Sequence, residues 1–292
     1  MKYNIWLLVV TIVWGSTFFM IKDTVETVNE YFIVFGRNVL AAILMLAWML
    51  FKDKKAIFDK KAIINGAILG LLLAITYAAQ TIGLKYTTSG HSAFITGSAV
   101  VVVPFVMALF FKEKLKLDVL FVVSIVFLGL FFLTYDLDTS INIGDIITIA
   151  TTLAYAVHLI YSGIYVKKTH MIALITHQFV FASIFSLIAF FISGAEVGVL
   201  SEKSIWAIVY LGIIGTLLCY FVSVWVQKYV TSVKVAIVFS LEPVFAALFA
   251  YFAVGEILNG REMLGAFLIT IGVVVYQIKG KLIEYVKNKK RQ

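Results

Sequence analysis

Glu242 and Arg37 are charged side chains set inside long apolar runs, and chemistry in this chain is sought there first. Charge in a hydrocarbon environment is costly, so such residues face protein or water and count as functional hypotheses by default. Glu242 immediately precedes Pro243 near the middle of its run. A carboxyl there can accept a proton or a cation, or hold a substrate amine. It reads equally as a structural acid bonding backbone freed by the proline, which removes a donor and disrupts a helical bond. Arg37 lies about two turns into its run. It reads as a substrate contact, a snorkelling cation, or a fixed structural and gating group. A direct Arg37–Glu242 pair is compatible with either role.

Neutral polar residues follow helical spacing. Thr148, Thr151, Thr152, Tyr155, His158 and Ser162 recur at steps that place them on one side of a helix. Hydroxyls that bond across helices or back to their own carbonyls act as packing glue, which is the reading for Thr148 and Ser162. Tyr155 and His158 are large enough to face a cavity, although His158 also suits a satisfied interior histidine. His177, beside Gln178, lies nearer a helix end. Thr216, Tyr220, Ser223 and Gln227 form a second stripe, and Tyr77, Gln80 and Leu84 repeat its last three positions 143 residues earlier. Tyr77 and Tyr220 would then face each other. Paired rings with nearby amides suit an organic solute with a flat or apolar part. Ordinary packing is the alternative, because 15% of the chain is aromatic. Trp14 is a further wall candidate, whereas Trp6, Trp48, Trp206 and Trp225 lie nearer run ends, where tryptophan marks the membrane interface.

The elements that position these residues follow from composition. The chain is 62% hydrophobic and 14% charged, with a mean hydropathy of +1.02. A soluble domain averages about 45–50% apolar and about 25% charged residues, so an all-α integral membrane protein is predicted. About 20 apolar residues cross the hydrocarbon core as a helix. Ten such spans are expected at 4–22, 31–51, 62–84, 91–111, 117–135, 143–164, 171–193, 204–227, 233–254 and 262–280. Of 24 Lys and Arg residues, 19 fall on one set of alternate loops and termini, 4 on the other, and Arg37 within a span. Basic residues remain cytoplasmic, so both termini are predicted to be cytoplasmic, in the cell membrane. The +8 charge therefore marks topology and a tail that touches anionic lipid rather than nucleic acid.

Residues 77–129 read again without a gap at 220–272. The offset pairs Tyr77 with Tyr220, Lys85 with Lys228, Thr88 with Thr231, Ser89 with Ser232, Glu113 with Glu256 and Gly129 with Gly272. Each half holds five spans, an odd number, so the second copy enters the membrane from the opposite side. The expected units are 1–137 and 143–280, two inverted five-helix repeats, followed by a basic tail at 281–292. Inverted duplication is the plan of many secondary transporters, with the substrate site near the midplane between the halves. Gly66 and Gly70, Gly212 and Gly215, and Gly265 and Gly272 permit close helix approach; a glycine face for dimerisation is not indicated.

Other chemistry finds little support. There is no Walker A run, zincin motif or credible nucleophile elbow. The lone Cys219 excludes an intrachain disulfide, and Asp136, Asp138 and Asp145 read as solvated loop acids rather than a calcium site. Neither cofactor nor metal is expected, and an intramembrane enzyme would rest on His158 and Glu242 alone. A non-transporting scaffold or sensor would require the polar faces to pack solid.

The chain resembles the drug/metabolite transporter superfamily, EamA type, along its whole length. The resemblance rests on Trp14-Gly15-Ser16, Phe35-Gly36-Arg37-Asn38, and the stretch from Tyr86-Thr87-Thr88-Ser89 through Ala93-Phe94-Ile95-Thr96-Gly97 to Pro104 and Glu113. Ser240-Leu241-Glu242-Pro243 through Gly255-Glu256 is the second-half counterpart. It implies ten helices in two inverted repeats, a central cavity lined mainly by spans 1, 3, 4, 6, 8 and 9, and substrates ranging from amino acids to nucleosides, vitamins and drugs. The expected function is alternating-access transport of a small organic metabolite such as an amino acid, with export preferred over import; Glu242 is the candidate for proton coupling, with uncoupled facilitation the alternative. The residues expected at the substrate are Tyr77, Gln80, Tyr155, Tyr220 and Glu242, with Trp14 and His158 behind them. Pro104 and Pro243 are not repeat partners, so the proline-weakened turns are expected at different depths.

Overall fold

The computed structural model describes residues 2–134, 141–254 and 257–289. Asp136, Asp138, Gly255, Glu256 and the tail residues Lys290 and Arg291 lie outside the described residues. Ten helices are long and apolar enough to cross a membrane: α1 (Tyr3–Thr24), α2 (Glu30–Lys52), α3 (Lys60–Tyr86), α4 (Ser89–Phe111), α5 (Leu117–Thr134), α6 (Ile143–Tyr165), α7 (Met171–Ser193), α8 (Glu202–Gln227), α9 (Ser232–Phe252) and α10 (Gly260–Lys279). Helix satisfies every backbone group within its own segment, which the hydrocarbon core demands. Polar caps set the starts. Asn29, Asp59, Thr88, Asn142, Ser201 and Thr231 each accept a backbone N–H of the helix that follows. Thr88 and Thr231, the caps of α4 and α9, are repeat partners.

Helix contacts come in pairs related by the duplication. Helix α3 lies on α6 and α7, and its counterpart α8 lies on α1 and α2; α1 packs on α9 as α6 packs on α4. Helices α2 and α7, and α5 and α10, pair with their own counterparts. Glycines allow the close crossings. A Cβ at Gly70 would come within 2.7 Å of the Gln178 carbonyl and 2.8 Å of the Ala182 nitrogen on α7. Gly129 stands in the same relation to the Gly265 carbonyl of α10, at 2.8 Å.

Residues assigned to one side by the Lys/Arg count meet at one end of the bundle. At the basic end, Asn4 donates to Gln277 (3.0 Å), Asn65 to Thr169 (3.0 Å), and Lys279 pairs with Asp118 (3.1 Å). At the opposite end, Lys85 pairs with Glu30 (3.2 Å) and Lys203 with Asp23 (2.9 Å), while an isolated bridge joins Val28 to Gly198.

Helices α4 and α9 are both broken. The first runs as Ser89–Gly97 and Ala99–Phe111, the second as Ser232–Phe239 and Glu242–Val254. The two breaks lie at matched depths, not at the unequal depths expected from the prolines. The break in α4 falls at Ser98, six residues before Pro104, and so matches the break at Ser240 and Leu241 to within a residue of the repeat offset. Ser98 and Ser240 each return a hydroxyl to the carbonyl three residues earlier, at 2.5 and 2.6 Å. Space is tight beside the α4 break: a Cβ at Gly97 would meet Leu130 at 3.0 Å and the Pro243 ring at 3.6 Å. Pro104 stays inside a continuing helix.

Candidate functional site

Where the two halves meet, a cavity is lined by Trp14 and Thr17 of α1, Arg37 of α2, Thr76, Tyr77 and Gln80 of α3, Thr96 of α4, Tyr155 of α6, Tyr220 of α8 and Glu242 of α9. Six of the seven residues expected at the substrate are therefore brought together, with Arg37 beside them. About 30 Å³ is open to the centres of water-sized molecules, room for a water or two, against about 300 Å³ or more for small-molecule pockets. The cavity is thus contracted, and an organic solute enters only if the helices separate.

Arg37 is 1% exposed. Its Nε donates to Thr216 Oγ1 at 2.8 Å, Thr216 donates to the Tyr77 hydroxyl at 3.3 Å, and Tyr77 donates to the Gly215 carbonyl at 3.4 Å. The guanidinium carbon also lies 3.6 Å from the centroid of the Tyr77 ring, where the negative face of the ring attracts a cation. Gly215 and Thr216 belong to a π-helical stretch, Leu211–Leu218, in the middle of α8. Such widened turns leave carbonyls off the regular helical ladder and recur at functional sites. The Gly215 carbonyl takes a second bond, from the Trp14 indole at 2.8 Å. One irregular turn thus positions Trp14, Tyr77 and Arg37 together.

The aromatic wall is continuous. Tyr77 and Tyr220 meet edge to face with centroids 5.7 Å apart, and Trp14 contacts Tyr155 at 5.9 Å, Tyr220 at 5.4 Å and Phe239 at 4.9 Å. Alanine at Tyr77 or Tyr220 is expected to weaken transport several-fold, about 1 kcal/mol, the scale of an aromatic contact beyond area burial. Uptake by equal amounts of inserted protein checks this. Wild-type rates in both variants would leave the rings as packing alone.

His158 stands outside the lining. It is 2% exposed, its Nε2 lies 3.1 Å from Gln178 Oε1, and its ring meets Tyr220 edge-on at 5.2 Å. A residue one turn along the same stripe from Tyr155 is carried behind Tyr220. The outer members of that stripe serve helix packing: Thr148 returns to the Gly144 carbonyl at 2.7 Å, Thr152 donates to the Ile95 carbonyl of α4 at 2.6 Å, and Ser162 donates to Gln227 at 2.5 Å. His177 contacts the Ile57 carbonyl at 2.9 Å, away from the cavity.

Glu242 begins the second half of α9, where the positive end of the helix dipole favours a carboxylate. Among the described residues it forms neither an ion pair within 4.0 Å nor a side-chain hydrogen bond, so Arg37 and Glu242 share the cavity without pairing. Three lining residues were not singled out as site candidates by sequence: Thr17, Thr76 and Thr96. Thr17 and Thr76 return their hydroxyls to the Trp14 and Leu72 carbonyls, as helical threonines commonly do, so residue type alone does not mark them. Spacing offers a signal for Thr17 and Thr76, one turn from Trp14 and adjacent to Tyr77.

Ten apolar helices around a central polar cavity define an integral membrane protein. The chain belongs to the EamA-like transporter family, whose model matches residues 1–135 and again 142–277. An uncharacterized transporter of Archaeoglobus fulgidus is 26% identical over 94% of this chain and 85% of its own length. The uncharacterized transporter YoaV of Bacillus subtilis is 20% identical over 93% and 95% of the two chains, and protein PagO of Salmonella typhimurium 25% identical over 92% and 91%. A crystal structure of another protein superposes with a TM-score of 0.80 at 13% identity, over 97% of this chain and 99% of that one, a likeness of fold.

Proposed function

We propose that the protein is a secondary transporter that carries a small organic metabolite across the cell membrane by alternating access, working in the export direction, with Glu242 as the proton-coupling group. The observation that carries this reading is the contracted cavity between the halves, which gathers a cation, a carboxyl, four aromatic rings and an amide at the depth of two matched helix breaks. Solid packing would leave no reason to assemble so many polar groups there, because unsatisfied polar atoms are costly away from water. The repeats 1–137 and 143–280 are interleaved, with α3 lying on α6 and α7 and α8 on α1 and α2, so the bodies that rock are helix groups drawn from both repeats. The α4 and α9 breaks lie side by side, a Cβ added at Gly97 reaching within 3.6 Å of the Pro243 ring, and provide the bending points.

Two kinds of latch support alternation. Away from the basic end, charge dominates: Thr87 donates to Asp145 at 2.5 Å, and Lys22 donates to the Leu84 and Thr87 carbonyls at 2.7 and 2.9 Å. At the basic end the corresponding cluster is neutral, with Gln227 donating to the Leu159 carbonyl at 2.6 Å and to Ser232 at 3.2 Å. Both termini and the basic end are cytoplasmic in this reading, and the tail meets anionic lipid.

The function is tested by metabolite profiles of cells with and without the protein, followed by counterflow in proteoliposomes. Accumulation of one solute outside producing cells and its counterflow are expected. Absence of counterflow for every solute in the profile refutes transport. Topology has its own check: a periplasm-active reporter fused after Asp138 should give signal, and fusions after Lys54 or at Gln292 should not. Signal from the Gln292 fusion overturns the orientation.

A further inference from the structure

We infer that Arg37 is the anchor for a carboxylate on the transported solute. The inference rests on the transport reading and narrows it to organic acids, as free anions or as the acidic end of zwitterions.

Burial, geometry and the pattern of satisfied donors carry it. Arg37 is almost wholly buried and lines the cavity. Its guanidinium is held in place twice, by the bond from Nε to Thr216 and by the Tyr77 ring beneath it. Its Nη1 has no hydrogen-bond partner among the described residues. A buried cation kept for structure alone is expected to be paired, because an uncompensated charge is strongly destabilising. Glu242, the carboxyl lining the same cavity, does not approach it. The fork of a guanidinium matches a carboxylate in two parallel bonds, and fixing one side of the fork presents the remainder to an incoming acid. The Tyr155 hydroxyl and Thr96 Oγ1 line the same cavity and also lack partners among the described residues. Three side chains with unsatisfied buried donors therefore line the cavity that four aromatic rings wall. A carboxylate joined to an apolar or aromatic body satisfies both halves of that description. If the solute also carries an ammonium group, Glu242 is the acid that can receive it.

Four probes of one shape test this on the purified full-length protein: 3-phenylpropionate, its neutral amide 3-phenylpropionamide, the cation 3-phenylpropylamine, and zwitterionic phenylalanine. Binding is read by titration and by thermal stabilisation. At least one acid is expected to bind about tenfold or more tightly than the amide, the scale of a hydrogen bond to a charged group. Arg37→Gln should erase that preference, and Arg37→Lys should keep part of it, because an ammonium retains charge without the fork. Tighter binding of 3-phenylpropionate identifies a free anion as the preferred form, and of phenylalanine a zwitterion; either supports the assignment. The amide or amine binding wild type as well as the acids overturns it. So does an acid preference that survives in Arg37→Gln. The wild-type comparison requires no folded variant. Tyr220→Ala separates the two levels of the argument. If it weakens binding while Arg37→Gln has no effect, the cavity binds solutes and the Arg37 assignment alone falls. If no probe binds, or neither change matters, the Arg37 assignment falls, and counterflow of the profiled solutes decides the transport reading separately.

Discussion

Gly70→Leu is expected to leave little correctly assembled protein in the membrane. Helices α3 and α7 form one of the main contacts between the two halves, and Gly70 lies in it. A side chain there meets backbone atoms of Gln178 and Ala182 as well as the Phe181 Cβ, all at 2.7–2.8 Å from the first added carbon. Backbone held in a helix cannot turn aside, so the helices must separate. Lipid is as apolar as the buried face, so membrane helices associate through close packing and small residues rather than through the hydrophobic effect. Overpacking costs about 1–3 kcal/mol, occasionally more, and here the displacement propagates along α3 to Tyr77 and Gln80. Gly260→Leu serves as the comparison, because nothing lies within 4 Å of the added carbon. Size-exclusion profiles and thermal unfolding in detergent measure both. Wild-type yield and unfolding temperature for the Gly70 variant would show that α3 and α7 tolerate a wider spacing.

The same glycine illustrates what sequence can and cannot reveal here. Ten spans and their alternation were legible because hydropathy and Lys/Arg placement are summed over many residues, and the membrane-crossing stretches depart from the expected limits by at most two residues, although the last helix itself continues to Lys289. The facing of Tyr77 and Tyr220 was legible because the repeat fixes their register. Its geometry was not, since interplanar angle and separation depend on how α3 and α8 cross. The π-helical stretch gave no sign: Gly212 and Gly215 look like any close-packing pair, and the widened turn shows only once Trp14 and Tyr77 are seen bonding to one carbonyl. Proline misled in α4. Pro104 withholds one N–H, yet the helix continues through it, while the break falls at Ser98, beside Gly97 where α5 and α9 leave little room for a side chain. His158 shares a stripe with Tyr155, but a single turn along a helix that crosses α8 obliquely decides which ring meets the cavity and which lies behind Tyr220.

Glu242→Gln is expected to abolish transport driven by a pH gradient while leaving substrate-for-substrate exchange. The amide has the size and shape of the protonated acid, and Glu242 has no ion partner to lose, so folding should be preserved. What the variant loses is the ability to pick up and release a proton. That ability matters because of where Glu242 sits: at the first turn after the α9 break, beside Pro243, in the contracted cavity with Arg37. A bare carboxylate is costly to enclose in that setting without a cation. Closing the cavity around it is therefore easier when a proton or a bound ammonium accompanies the acid. Opening to either side exposes it to water and releases the charge. Rocking at the break and the charge state of Glu242 thus bias one another, which is the condition for coupling. Exchange requires no net proton movement and should proceed in Glu242→Gln at a rate within a few-fold of wild type. Proteoliposomes loaded with substrate, assayed with and without an imposed pH gradient, distinguish the two modes. Gradient-driven uptake that survives unchanged in the Gln variant would remove Glu242 from coupling and leave it as a structural acid at the helix break. Loss of exchange together with gradient-driven uptake would instead make Glu242 part of substrate binding itself.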